Sequence, residues 1–386
     1  MTLLTLRWPL LVIGAALLSG ACSTVDKLNP FGSGTPQGQP AELAAIQSTA
    51  ELKSLWQASI GSAGEFTFSP AVVGDSVYAA ARDGAVARFD GGRQVWRIAA
   101  GQTIAGGVGS DGKLVVVGTP KGEVLAFDAA TGRERWKARV SSEVLAAPAV
   151  ADGLAIVRSG DSRIFGFDAV DGKRRWVYQR STPSLSLRSN VGVVMAGNAT
   201  LAGFPGGKLV AIANNNGAAV WEVTVALPRG ATELERVADV TSSPVASGST
   251  VCAAAYQGRV ACFDAGSGNT VWSRDMSSSA GLDIDSRYVY VADDKGAVHA
   301  LDRLSGASVW KQDKLSNRSL SRPLALGSGV AVADYQGVVH LLRREDGAFA
   351  ARVTTDGSAV RAEPVRFGSG MLVQTANGRL HALEVR

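Results

Sequence analysis

The chain is poor in the residues that most often carry chemistry. Its 386 residues include three histidines and three cysteines, too few for the closely spaced Cys/His sets that hold zinc. Neither a serine nucleophile elbow nor a zinc-binding helix motif occurs. Basic residues are dispersed without a Lys/Arg-rich run, which argues against a nucleic-acid partner even though the net charge is +5. Common classes of catalyst and nucleic-acid binder are therefore disfavoured.

The three histidines share one position in a repeated pattern. His299, His340 and His381 each follow a glycine by three residues, so a metal cluster would need side chains from neighbouring sheets to converge. We interpret them as hydrogen-bonded strand residues. A G-x-G-x-x-G match at 107–112 leads into an apolar strand rather than a helix, and a dinucleotide site needs the helix. No metal and no cofactor is expected.

What the chain does have is a ladder of seven tryptophans with gaps of about 40 residues: Trp56, Trp96, Trp136, Trp176, Trp221, Trp272 and Trp310. Six of them close the pattern Gly-x-x-x-Trp. Within each unit, short apolar runs alternate with Gly, Asp and Asn turns, which indicates strands joined into a small antiparallel sheet. A period of this length is typical of a propeller, in which each unit buries its apolar face against its neighbours.

The two ends of the repeat complement each other. Ala351 stands where a seventh Gly-x-x-x-Trp unit would place its tryptophan, and an eighth unit stops at Arg386 before a tryptophan strand. At the other end, the Trp56 strand has no unit before it. Pairing the N-terminal strand with the last unit would close the ring and remove free sheet edges. The sequence predicts an all-β, eight-bladed β-propeller of four-stranded antiparallel blades over residues 49–386.

The N-terminus is typical of an exported protein. Arg7 precedes an apolar stretch from Leu10 to Leu18, which is too short to span a bilayer and ends in small residues before Cys22. We expect a signal peptide over residues 1–21, lipidation of Cys22 and a flexible tether over residues 22–48. Ser19 holds the place where a lipoprotein signal usually has leucine, so ordinary cleavage stays an alternative. Ser23 after the cysteine resembles an outer-membrane sorting signal.

The other two cysteines permit two interpretations. Cys252 and Cys262 flank a turn symmetrically, so a hairpin would place them opposite one another, where an oxidising compartment allows a disulfide. Alternatively, they are two small buried apolar residues, because other units carry alanine at the position of Cys262.

Two insertions interrupt the 40-residue spacing, both between a tryptophan strand and the next unit. Such additions become loops on one face, often the binding face, and these two should lie side by side. The first contains Leu185, Leu187 and Arg188; the second contains Arg236 and Asp239. We expect Asp239 to act indirectly, by pairing with Arg188 or Arg236 and so orienting the loop. Exposed leucines beside an arginine suit a protein interface. In the alternative interpretation, Leu185 and Leu187 tuck under their loop as a local core.

The repeat Ala-x-Asp-x-x-x-Gly-x-x-x-Trp resembles that of pyrroloquinoline-quinone (PQQ) propellers. With the lipoprotein-like N-terminus, the segments Pro-Ser-Leu-Ser-Leu-Arg (183–188) and Thr-Glu-Leu-Glu-Arg-Val-Ala-Asp (232–239) resemble the BamB family, lipoproteins of the outer-membrane β-barrel assembly machinery. The resemblance implies a non-enzymatic scaffold that binds the POTRA domains of BamA, with Leu185, Leu187, Arg188 and Asp239 as contacts. The family pattern has a second acidic residue where this chain has Thr241.

The same resemblance implies a lipid-anchored location on the periplasmic face of the outer membrane, unfolded outer-membrane proteins as clients, and a monomer within a larger hetero-oligomeric complex. A different class of function, a PQQ-dependent quinoprotein dehydrogenase, is the alternative. It would need a Ca²⁺ ligand set and a general base, and the sequence shows neither an adjacent-cysteine pair nor carboxylates outside the repeat turns.

Overall fold

A computed structural model describes residues 38–386, and the signal peptide and Cys22 lie outside the described residues. The described part contains 32 β-strands. Those of blades 1 to 4 are β2 (Ala71–Val73), β3 (Ser76–Ala80), β4 (Ala85–Asp90), β5 (Arg93–Ala99), β6 (Gly109–Ser110), β7 (Leu114–Gly118), β8 (Glu123–Asp128), β9 (Glu134–Arg139), β10 (Ala149–Ala151), β11 (Leu154–Arg158), β12 (Ile164–Asp168), β13 (Arg174–Tyr178), β14 (Val193–Ala196), β15 (Ala199–Phe204), β16 (Lys208–Ala213) and β17 (Ala219–Thr224).

Blades 5 to 8 follow the same plan, and the last one borrows its fourth strand from the N-terminus. Their strands are β18 (Val245–Ser247), β19 (Thr250–Ala254), β20 (Arg259–Asp264), β21 (Thr270–Asp275), β22 (Gly281–Ile284), β23 (Tyr288–Ala292), β24 (Val298–Asp302), β25 (Ser308–Gln312), β26 (Leu324–Leu326), β27 (Gly329–Ala333), β28 (Val338–Arg343), β29 (Phe349–Thr354), β30 (Val365–Phe367), β31 (Gly370–Gln374), β32 (Arg379–Val385) and β1 (Leu52–Ser59).

Each sheet has four antiparallel strands in sequence order, and the eighth has the order β1-β32-β31-β30. Ring closure is confirmed because β1 pairs with β32, from Leu52 opposite Val385 to Ser59 opposite Arg379. The first strands of neighbouring blades contact one another around the ring, so they line the axis and the fourth strands form the outer edge. The eight-bladed prediction is therefore confirmed.

The Gly-x-x-x-Trp pattern joins one blade to the next. In six blades the indole Nε1 donates a hydrogen bond of 2.7–3.0 Å to a turn carbonyl in the following blade, as Trp136 does to Ala169. The turn glycine packs on the same ring: a Cβ on Gly172 would lie 2.7 Å from Trp136, and its φ of +71° is left-handed. The glycine is required because a side chain would meet the indole and strain the backbone.

The seam where the ring closes explains the two departures from this pattern. Blade 8 has no turn between its third and fourth strands because β32 and β1 are at opposite ends of the chain. A tryptophan at Ala351 would therefore have no glycine turn to receive it. Instead, Ala351 packs in one core cluster with Leu52 and Leu383, and the N–H of Thr49 donates to the carbonyl of Ala350 at 2.9 Å.

Trp56 shows the complementary departure on the other side of the seam. Its ring meets Phe367 edge-on at 5.7 Å between centroids, but its buried Nε1 finds no acceptor within residues 38–386. The receiving turn is shorter, since Asp90 and Gly92 are two residues apart whereas Asp128 and Gly132 are four apart. The shortened turn therefore places no carbonyl within hydrogen-bonding distance of the Trp56 indole.

The compact body begins at Pro40, so the last part of the predicted tether packs on the propeller. The N–H of Ala41 donates to the carbonyl of Ser316 at 2.9 Å, while Arg318 and Arg352 donate to the carbonyls of Ala41 and Ala44 at 2.8 and 2.9 Å. The prediction that residues 22–48 are a free tether is therefore wrong for this final stretch. No helix in the described part of the chain is long and apolar enough to cross a bilayer.

Cys252 and Cys262 are directly opposite in the β19–β20 ladder and form a disulfide. Both are also fully buried between blades 5 and 6, so each interpretation described part of their environment. A disulfide across one hairpin ties together strands that are already paired. It therefore reinforces blade 5 locally rather than joining distant parts of the ring.

The three histidines lie on strands, and they differ in whether the ring nitrogen Nε2 has a hydrogen-bond partner. Nε2 of His299 lies 2.8 Å from Asp293, and Nε2 of His340 lies 3.2 Å from Asp334. His381 departs from the expectation, because its buried Nε2 has no hydrogen-bond partner among the described residues. Within residues 38–386, no group of three or more His, Cys, Asp or Glu residues is placed to hold a metal ion.

Candidate partner-binding face

The two insertions form adjacent loops, which we call the first loop (residues 179–192, between β13 and β14) and the second loop (residues 225–244, between β17 and β18). Asp239 joins them. Its carboxylate accepts hydrogen bonds from the N–H of Leu187 at 2.7 Å and from the N–H of Gly206 at 2.9 Å. The expectation that the insertions lie side by side is confirmed, and Asp239 positions the first loop from beneath.

Asp239 is 3% exposed, so its charge needs a counterpart. The buried Arg158 supplies it. Its guanidinium donates to the carbonyl of Gly203 and lies 5.3 Å from the centroid of the Phe204 ring. Burial lowers the pKa of Arg158 to about 10, while the negative charge of Asp239 acts in the opposite direction. Arg158 stays protonated at neutral pH, and the two buried charges balance each other.

Arg188 pairs with a residue that the sequence did not single out. Its Nε and terminal nitrogen donate to the two carboxylate oxygens of Glu143 at 2.8 and 2.7 Å. This bidentate pair lowers the pKa of Glu143 and raises that of Arg188. The Arg188 side chain is still 63% exposed, against 26% for Glu143. One edge of the guanidinium is therefore anchored to the propeller, while the rest is presented to solvent.

The hypothesis that Asp239 orients Arg188 or Arg236 by pairing with one of them is wrong. Arg188 pairs with Glu143, and Nε of Arg236 donates to the carbonyl of Gly230 at 3.1 Å. Glu143 lies on the ordinary-length connection between β9 and β10. An insertion distinguishes the two longer loops in the sequence, but nothing distinguishes this acidic residue until the blades are placed around the ring.

The second loop is held by its own hydrogen bonds. The carboxylate of Glu235 accepts from the N–H groups of Ala231 and Thr232 at 2.8 and 3.1 Å, while the Glu235 N–H donates to the Thr232 hydroxyl at 3.3 Å. This reciprocal arrangement is a capping box around one helical turn. The backbone hydrogen bonds, with that of Thr232 the strongest contributor, lower the pKa of Glu235. The loop therefore has a defined shape although its surface is exposed.

Apolar side chains project from both loops. Leu185 and Leu187 are 40% and 39% exposed, while Leu227 and Leu234 of the second loop are 64% and 72% exposed. The loop residues that do form a core are smaller: Val191 of the first loop, and Val225, Ala226, Val237, Ala238 and Val240 of the second. The local-core interpretation of Leu185 and Leu187 is therefore not supported, and Leu227 and Leu234 enlarge the apolar surface beyond the residues that the sequence singled out.

The space between the loops does not suit a cofactor. A cavity of about 40 Å³ is bordered by Glu143, Arg158, Arg188 and Asp239, among other residues, which is room for about one water molecule. Thr241 occupies the position of the second acidic residue of the resembled pattern. Its buried hydroxyl has no hydrogen-bond partner in the described part of the chain. The loops thus offer a projecting surface with two leucines and an arginine, rather than a pocket.

Comparison with known proteins agrees with this picture. Residues 82–312, more than half of the chain, match the family model of the outer membrane protein assembly factor BamB. The BamB of Bordetella pertussis is 44% identical over 321 residues, covering 82% of this chain and 83% of that protein. The crystal structure of BamB from Moraxella catarrhalis superposes with a TM-score of 0.81 at 29% identity, covering 86% of this chain and all of that one.

The quinoprotein alternative rests on a more distant similarity. The quinohemoprotein alcohol dehydrogenase of Comamonas testosteroni has a TM-score of 0.70 at 14% identity, with 86% of this chain and 76% of that chain covered. Identity this low shows a shared propeller fold alone. The relatives with high identity and coverage are named assembly factors, not dehydrogenases. The chain belongs to the BamB family of outer membrane protein assembly factors.

Proposed function

We propose that this protein is a non-enzymatic scaffold of outer-membrane protein assembly that binds the POTRA domains of BamA through its two loops. The observation that carries the proposal is the exposed group of Leu185, Leu187 and Arg188, held in place by the buried Asp239 and by Glu143. Apolar anchors beside an arginine of fixed orientation are the usual features of an interface hot spot.

Within this interface the residues have different roles. Leu185, Leu187 and Arg188 meet the partner directly, and Arg236, on the capped turn of the second loop, contributes at the rim. Asp239 is buried, so it acts by positioning Leu187 rather than by touching the partner. The exposed Leu227 and Leu234 extend the same surface.

We also infer that the protein reaches the periplasmic face of the outer membrane by export and lipidation, with residues 1–21 as signal and Cys22 as the anchor. Support comes from the sequence pattern around Cys22 and from relatives named outer membrane assembly factors. A single acyl chain binds a membrane only marginally, whereas a lipoprotein carries several. After a high-salt wash, which removes electrostatic contacts, Cys22→Ser should therefore release the protein from membranes of cells that lack BamA.

Unfolded outer-membrane proteins are the proposed clients, held transiently at the outer sheet edges of the blades. Support comes from the seam, where the N–H groups of Thr49 and Ala50 donate to the carbonyl of Ala350, on the outer strand of blade 7, at 2.9 and 3.2 Å. Backbone pairing of this kind is tolerant of sequence, as a scaffold serving many clients requires.

A binding titration with the purified POTRA domains tests the central proposal. Arg188→Ala should weaken binding by about 2 kcal/mol or more, the scale of a hot spot, and the Leu185/Leu187/Arg188 triple alanine variant should abolish it at micromolar concentrations. Circular dichroism and thermal unfolding on the same samples control for folding. Full affinity in the triple variant would exclude these loops as the binding site.

A further inference from the structure

Charge is distributed unevenly around the outer edge of the propeller. In each of blades 1 to 7 the outer strand follows a turn glycine, so equivalent eight-residue windows can be compared, starting at Gly92, Gly132, Gly172, Gly217, Gly268, Gly306 and Gly347. In blades 1 to 3 these windows hold nine basic residues and one acidic residue, whereas in blades 4 to 7 they hold three of each. Basic residues that are dispersed in the sequence thus collect on three consecutive blades.

The nine basic residues of this edge, which we call the basic rim, are Arg93, Arg97, Arg133, Arg135, Lys137, Arg139, Lys173, Arg174 and Arg175. All of them are exposed. The repeat explains their convergence, because equal positions in successive units occupy equal places on successive blades. The basic rim therefore lies on the outer edges of three consecutive blades and is built from segments about 40 residues apart.

Internal pairing leaves much of this charge available. Arg135, Lys137, Lys173 and Arg175 lie within 4 Å of carboxylates on their own blades. In contrast, Arg133, Arg139 and Arg174 form no ion pair within residues 38–386, and no side-chain hydrogen bond of theirs is present there. The carboxylate of Asp90 interacts with Arg88 and, more weakly, with Arg93, and both lower its pKa. Three unpaired guanidinium groups on neighbouring edges attract anions, since the free energy of each is lowered near negative charge.

The form of the surface favours a broad anionic partner over a single small ligand. Long basic side chains lie on an outer edge that also carries Val95 and Val177, which are 48% and 44% exposed. Protein interfaces concentrate their energy in desolvated central anchors, whereas every cation of the basic rim is exposed. A surface of exposed, flexible cations interspersed with small apolar side chains instead matches the headgroup region of a membrane, where each cation contributes separately.

We propose that the basic rim docks on anionic phospholipid headgroups, so that the outer edge of blades 1 to 3 faces a membrane. This contact is separate from the two loops and does not depend on the proposed BamA interface. An anionic surface attracts clustered Lys and Arg only within about one Debye length, on the order of 8 Å at physiological salt. The proposal therefore requires that binding weaken as salt increases.

The test is vesicle cosedimentation of the chain carrying Cys22→Ser, so that no acyl group contributes. Vesicles of phosphatidylcholine with about a third phosphatidylglycerol are compared with pure phosphatidylcholine, at low and high salt. The test variant is Arg133→Glu/Arg139→Glu/Arg174→Glu. The matched control is Lys295→Glu/Lys314→Glu/Arg379→Glu, which reverses three exposed basic residues on blades 6 to 8 that likewise form no ion pair in the described part of the chain.

The chain and the control should bind phosphatidylglycerol vesicles in a salt-sensitive way, and the test variant should bind them at least tenfold more weakly. Thermal unfolding should be unchanged in both variants because the substituted side chains are exposed and unpaired. Equal binding by test and control variants would overturn the assignment to the basic rim. If the chain binds neutral and anionic vesicles equally, the choice of anionic lipid is overturned. The same holds if the chain binds an acidic protein but binds no vesicles.

Discussion

The pair between Arg188 and Glu143 allows a sharp test of how the proposed interface is prepared. The change is Glu143→Gln, which keeps the size of the side chain and one acceptor oxygen but removes the charge and the bidentate geometry seen at 2.7 and 2.8 Å. Arg188 would then explore more rotamers before binding. Ordering such a side chain costs roughly 0.5–1.5 kcal/mol, so affinity for the POTRA domains should fall by about threefold to tenfold.

Folding stability should change much less than binding. Arg188 is 63% exposed, and ion pairs at exposed sites contribute about 0.2–1 kcal/mol. The matched control is Asp346→Asn, which removes another exposed bidentate pair, with Arg343 on blade 7. The control should lower stability by a similar small amount and leave affinity unchanged.

A double-mutant cycle decides whether Glu143 acts through Arg188. If it does, Glu143→Gln/Arg188→Ala will bind as weakly as Arg188→Ala alone, and the coupling energy will equal the effect of Glu143→Gln. The measurement is isothermal titration with POTRA domains, together with denaturant unfolding of the free variants. The reasoning is refuted if Glu143→Gln binds with unchanged or greater affinity, because Glu143 would then compete with the partner instead of positioning Arg188.

Three further outcomes follow from the structure. Asp239→Ala should lower the free energy of unfolding by about 3 kcal/mol, because two N–H groups and the buried Arg158 lose their partner. Asp239→Asn should lower it by a smaller amount. Equal melting temperatures for both variants and the unsubstituted protein would contradict this prediction. Ala351→Trp should destabilise by about 1–3 kcal/mol through overpacking, measured by urea unfolding, although six neighbouring blades use tryptophan there. Burial lowers the pKa of His340 and His381, so the unfolded state binds protons at a higher pH than the folded state does. The contribution of the two histidines to folding stability is therefore complete above about pH 6.5 and declines below it. In His340→Gln/His381→Gln, the midpoints of urea unfolding at about pH 7.5 and about pH 5.0 should lie closer together than in the unsubstituted protein.

Much of the fold could be predicted from the sequence because a propeller repeats one local solution. The spacing of glycine and tryptophan reports a contact between adjacent blades, as Gly172 shows against Trp136. The absence of a tryptophan at Ala351 also corresponds to a structural feature, the pairing of β1 with β32 at the seam of the ring. The insertions indicated the loops, and the resemblance indicated which of their side chains to examine.

The contacts within the candidate site were harder to predict from the sequence than the fold was. Leu187 and Asp239 are 52 residues apart and Arg188 and Glu143 are 45 apart, so neither contact follows from local pattern. The expected pairing of Asp239 with Arg188 or Arg236 was wrong because the buried carboxylate accepts from two backbone N–H groups instead. The exposed Leu227 and Leu234 were also missed, since leucines in an insertion cannot be divided into core and surface before the loop is folded.

The sequence by itself determined the repeat, the number of blades, the closure of the ring and the position of the insertions, because each depends on spacing along the chain. Only the tertiary structure decided which charges meet. Glu143 reaches Arg188, Arg158 balances Asp239, and nine basic residues that look dispersed in the sequence share one outer edge. The physical reason is that charge interactions depend on distance in space and on burial, and the ring brings together residues that the sequence keeps far apart.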